Sequence, residues 1–154
     1  MIAKDYRLFT HIPTYLKISA MYLDIVNQGG NISNAIPDHL YTNDICESIV
    51  ARDPMKINTI PYHLQTRELW YMAVRMDHSI FCYMPNQFKN SKLSLTVVYI
   101  NGEMLSHVPL KLRSLQVCLC AINTGANIFE FIPIEYCFLC YTSLFFTHFT
   151  YWMV

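Results

Sequence analysis

Four cysteines near the C-terminus stand at spacings that metal chemistry uses: Cys118-x-Cys120 and Cys137-x-x-Cys140. Four thiolates so placed can close a tetrahedral zinc site. The competing reading is packing. Cys118 shares its place in a repeating pattern with Cys46 and Trp70, Cys120 lies on the same short helix, and cysteine is among the most buried residue types. Packing is preferred, so no metal and no cofactor is assigned. His39 and His63 occupy one column of that pattern, where two imidazoles could bind a metal or sense pH. No third ligand joins them, because Gln87, Lys111 and Glu135 follow in the column, and both histidines read as a solvated edge.

Nucleophilic chemistry finds no support either. No strained nucleophile turn or other catalytic signature is present. The stretch "NQGGN" at 27–31 lacks the spacing, the lysine and the preceding strand of a phosphate loop, and Gly29-Gly30 read as a helix stop. Asp53 and Asp77 fall at the same place in the pattern, which makes them turn formers. The expectation is that the protein is not an enzyme.

Behind these residues is a strict period. Ile12-Pro13, Ile36-Pro37, Ile60-Pro61, Met84-Pro85, Val108-Pro109 and Ile132-Pro133 recur every 24 residues and use six of the seven prolines. Leu16, Leu40, Leu64, Phe88, Leu112 and Tyr136 form a large apolar column, expected to be a buried seam between units. Thr42, Thr66, Asn90 and Ser114 fill a column of N-cap residues. Ile45, Leu69, Leu93 and Val117 follow, then Ile49, Ala73, Val97 and Ala121, beside Val26, Val50, Val74, Val98 and Ile122. The column Gly29, Asp53, Asp77, Asn101, Gly125 suits left-handed or turn geometry. Each unit therefore reads as a cap, a helix of about ten residues, a turn and a shorter helical turn that proline ends.

A unit this small cannot cover its own apolar face, so neighbours must stack. The predicted architecture is all-α, an α-solenoid of six helix-turn-helix repeats starting at 12, 36, 60, 84, 108 and 132. It forms one domain over 1–154, with Met1 to about Thr10 as a leader and the last unit atypical because Phe138 replaces the cap.

Of the 154 residues, 53% are hydrophobic and 14% charged, with eleven basic residues balancing eleven acidic ones. Zero net charge with scattered basic residues excludes bulk attraction to nucleic acid or anionic lipid. The N-terminus lacks the apolar core of a secretory signal, so synthesis in a reducing cytoplasm with cysteines as thiols is expected. The tail "YCFLCYTSLFFTHFTYWMV", Tyr136 to Val154, holds no Lys, Arg, Asp or Glu. Two readings stand for it: packing as a terminal unit, which is preferred, or attachment of the protein to a membrane.

The runs "IPYHLQTRELWYMAVRMDHSIFCYMPNQF" and "VPLKLRSLQVCLCAINTGANIFEFIP" resemble a family of short helical repeats without established function. That family occurs in effector-like proteins of intracellular bacteria, in giant viruses and in some protists. The likeness covers about residues 36 to 133. It implies a helical solenoid and makes an effector role conceivable, with export into a host cell by a route that needs no cleaved signal. It carries no catalytic residue. The functional expectation is a non-enzymatic protein-binding module. Its surface would be the residues just after each proline: Asp38 and His39, Tyr62 and His63, Asn86 and Gln87, Leu110 and Lys111.

Overall fold

The structure is a computed structural model that describes Phe9 and residues 11–32, 35–125 and 127–151, with side chains as far as Ser143. Of the expected leader only Phe9 lies among them. The regular elements among the described residues are all helical, with no strand. They fall into two compact units, Met1–Ile80 and Phe81–Val154.

The N-terminal unit holds α1 (Ser19–Asn27), α2 (Asn43–Arg52) and α3 (Arg67–Met76), each packed on the one before. Both α2 and α3 begin where a threonine side chain takes over an orphan helix donor. Thr42 accepts from the Ile45 N–H at 3.3 Å and Thr66 from the Leu69 N–H at 3.2 Å. At α1 the cap position is Ile18, and no side-chain bond forms. The inward faces are apolar at helical spacing: Tyr22, Ile25 and Val26, then Ile45, Cys46, Ile49 and Val50, then Leu69, Trp70, Ala73 and Val74, all buried. A 3-10 turn over Pro54–Thr59 packs against both α2 and α3 and buries Ile57.

The C-terminal unit repeats the plan with α4 (Ser91–Ile100), α5 (Leu115–Asn123) and α6 (Ile134–Tyr151). α5 packs on α4 and α6 on α5, and the 3-10 turn Gly102–His107 packs against α4 and α5. Asn90 and Ser114 are the caps, accepting from Leu93 N–H at 2.8 Å and Val117 N–H at 3.4 Å. Where Phe138 replaces the cap residue nothing interrupts the chain, and α6 runs unbroken from the residue after Pro133. Among the described residues no helix is long and apolar enough to cross a membrane.

Three expectations need correction or refinement. A further short turn follows the prolines, with one hydrogen bond that recurs in every repeat. Leu16, Leu40, Leu64, Phe88, Leu112 and Tyr136 each donate their N–H to the carbonyl of the proline three residues back, at 2.8–3.0 Å. That turn lifts the large apolar column away from the interior: Leu16 is exposed, and Leu40, Leu64, Phe88, Leu112 and Tyr136 are half-buried. The apolar partner of the proline is buried in its place in five of the six repeats, at Ile36, Ile60, Met84, Val108 and Ile132, while Ile12 is half-buried. Finally, only the glycines of the turn column are left-handed, Gly29 at φ +99° and Gly125 at φ +77°. Asp53 and Asn101 are extended and act as helix stop and turn start together. Their N–H groups bond back to Ile49 and Val97, and their side chains accept from Met55 N–H at 3.1 Å and Glu103 N–H at 3.0 Å. Asp77 does the same with Ala73 and Ser79, and the Ser79 bonds hold its carboxyl below the usual range.

Candidate interaction surface

The short turn after each proline decides which side chains face water. Its first two residues point outward. Asp38, His39, Tyr62 and His63 in the N-terminal unit are exposed, as are Asn86, Gln87, Leu110 and Lys111 in the C-terminal unit. All the residues expected at the surface are therefore accessible.

The next column after the large apolar one was not read from sequence. It runs Lys17, Tyr41, Gln65, Lys89, Arg113, Cys137, a mixture without common size, charge or hydropathy. Five of the six share one act: the side chain reaches back or forward to the carbonyl of one of the two residues before a proline. Gln65 Nε2 donates to Ile60 O and Arg113 Nε to Val108 O, each at 2.8 Å, and Cys137 Sγ lies 3.7 Å from Ile132 O. Other bonds reach the last residue of the same repeat. Tyr41 OH donates to Thr59 O at 3.4 Å, Lys89 Nζ to His107 O at 2.8 Å and Arg113 Nη1 to Phe131 O at 2.8 Å. The common signal was donor chemistry at a fixed offset, which a search for hydrophobic periodicity passes over.

Rings complete this frame. Lys89 Nζ sits 4.6 Å from the centre of the Phe81 ring, Lys17 Nζ 4.5 Å from that of Phe9, and Arg113 lies over Phe131. Lys89 is only 8% exposed, and burial lowers its pKa from the ordinary lysine value. Burial, with Cys46 and Asp38 as lesser causes, pushes the Tyr41 phenol up to about 12. The turn surface thus stands on side chains that are anchored to named carbonyls and rings.

The cysteines behave as packed thiols. Cys118 and Cys140 are buried, Cys120 and Cys137 half-buried, and all six cysteines are free. Burial first, then the neighbouring Cys140, drives the Cys118 thiol up to about 11, which disfavours the thiolate a metal needs. Among the described residues no three His, Cys, Asp or Glu side chains converge on a common point. His39 and His63 stand exposed on separate turns.

A wide groove lies elsewhere, between α4 and α5 in the C-terminal unit. It encloses about 930 Å³ and is lined by Leu95, Thr96, Tyr99, Leu115, Gln116, Leu119, Cys120, Asn123 and Thr124, without a charged residue. A smaller cleft of about 440 Å³ between α2 and α3 includes Glu47 and Glu68.

Comparisons of the chain with protein-family models, with curated proteins and with solved structures find no match.

Proposed function

We propose that this chain is a non-enzymatic protein-binding module, an α-solenoid of six 24-residue repeats in which the turns after the prolines of each unit serve as a recognition rim. The observation that carries the reading is constancy of backbone with variety of side chain. The same proline-anchored turn recurs in each repeat, while its exposed pair changes from Asp38-His39 to Tyr62-His63, Asn86-Gln87 and Leu110-Lys111. Repeat scaffolds diversify recognition in this way, since exposed columns change without disturbing the packed ones. Mixed charge in these pairs favours a protein partner over nucleic acid. On the family resemblance alone, the partner would be a host protein met after export.

The test replaces Asp38, His39, Tyr62, His63, Asn86, Gln87 and Lys111 with alanine in the full chain. The melting temperature should stay within a few degrees, and proteins crosslinked to the natural chain in lysate should no longer be captured. Retention of every crosslinked partner by a folded variant would reject the rim.

A further inference from the structure

Two uncharged apolar surfaces face solvent in the C-terminal unit. One is the α4–α5 groove, where Tyr99 is 75% exposed and Leu95, Leu115 and Leu119 are half-buried. Its lack of charge is particular to this unit. Leu95 occupies the repeat column of Glu47, Gln116 that of Glu68, and Tyr99 that of Arg75. Positions that are solvated on α2 and α3 are apolar or neutral here. The other surface is a stripe on α6. Ile134, Phe138 and Tyr141 are 90%, 77% and 58% exposed, and their spacing of four and three places them on one helical face. The Tyr141 ring rests 5.3 Å from Phe129, which limits the freedom it would lose on binding.

We infer that the α4–α5 groove of one copy receives the Ile134-Phe138-Tyr141 stripe of a second copy of this chain. The groove is bounded by helices of about ten residues, or ~15 Å. The stripe spans two helical turns, ~10 Å, and therefore fits within that length. Contact of this kind is helix-in-groove recognition, with anchors at the first, fifth and eighth positions. Charge supports the pairing. The only charged residue of α4 is Lys92, one turn before Thr96, whose hydroxyl donates to the Lys92 carbonyl at 3.0 Å. The only Asp, Glu, Lys or Arg of α6 is Glu135, beside Ile134. A basic group flanks the groove and an acidic one flanks the stripe, while neither contact face buries a charge that would go unpaired. Because groove and stripe are different patches, the contact is heterologous, and each copy offers one of each.

Sedimentation of the full chain over a hundredfold concentration range tests this. The natural chain should grow in mass with concentration. Tyr99→Glu, which spoils the groove, and Phe138→Glu, which spoils the stripe, should each be a folded monomer by circular dichroism. Both positions are exposed, so neither substitution burdens the core. Mixed one to one, the variants should form a dimer and stop there, since one supplies the intact stripe and the other the intact groove. Lys92→Glu should weaken association about tenfold, and Lys92→Glu with Glu135→Lys should recover it. A natural chain monomeric throughout would overturn the inference and leave the rim untouched, as would two folded variants that still self-associate or fail to pair when mixed.

Discussion

Lys89 donates from Nζ to the backbone carbonyl of His107, eighteen residues on, at 2.8 Å, with the Phe81 ring at its other side. An ammonium that is almost fully buried thus has an oxygen and a ring face as its environment. The same eighteen-residue reach links Tyr41 to Thr59 and Arg113 to Phe131. The turn after the proline is therefore tied to the last residue of its own repeat by a directed polar bond as well as by apolar packing. Directed bonds fix register in a way that apolar contact does not.

Removing that bond should be measurable. Lys89→Met leaves the His107 carbonyl without this donor and should lower stability in urea by about 1 kcal/mol at neutral pH. The lowered Lys89 pKa adds a second signature. The folded state loses this proton before the unfolded state does, so natural-chain stability should rise as pH climbs from the lowered value towards 10.5. That rise should be absent in Lys89→Met, and an unchanged profile would mean that Lys89 is solvated.

Tyr41 gives the opposite slope at higher pH. Its folded pKa of about 12 lies above the ordinary 10.0. Below pH 10 both states hold the proton. From 10 to 12 only the folded state does, so stability should fall across that window. Tyr41→Phe should shrink the fall, as followed by thermal melts at stepped pH.

Ser94 is fully buried on α4 and its hydroxyl has no hydrogen-bond partner. It shares its column with Trp70 and Cys118, where an apolar or weakly polar side chain is the rule. Ser94→Ala removes the desolvated oxygen without changing shape and should raise stability by about 1 kcal/mol. A loss on that substitution would show that the hydroxyl has a partner in solution.

The buried column can be told from its neighbour by one pair of truncations. Ile60→Ala removes a core side chain and should cost roughly 2–4 kcal/mol, whereas half-buried Leu64→Ala should cost about 1 kcal/mol. Equal losses in denaturant would restore the seam expected from the sequence.

Much of the local plan was legible because it rests on residues with single physical meanings. Proline marks the end of each second segment, and Thr42, Thr66, Asn90 and Ser114 start helices as their hydroxyls and amide dictate. Leu64 was misplaced because large apolar residues also cover turns, and nothing in its identity distinguishes a half-buried site from a buried one. The donor column from Lys17 to Cys137 escaped notice because unlike side chains do one job there. Of the surfaces, the turn pairs were foreseen from their place after proline. The α4–α5 groove was not, since Leu95 and Leu119 read as ordinary helix positions until the helices are set side by side.

Asn101 precedes Gly102, a dipeptide whose asparagine is prone to spontaneous loss of ammonia through a succinimide. Opening to aspartate would leave what Asp53 and Asp77 already are in the earlier repeats, with the carboxylate still able to accept the Glu103 N–H. Opening to isoaspartate would thread an extra methylene into the main chain at the joint between α4 and the next turn. Chemical ageing at this one position thus has a silent product and a disruptive one, and which of the two C–N bonds of the succinimide ring water cleaves decides which the protein carries.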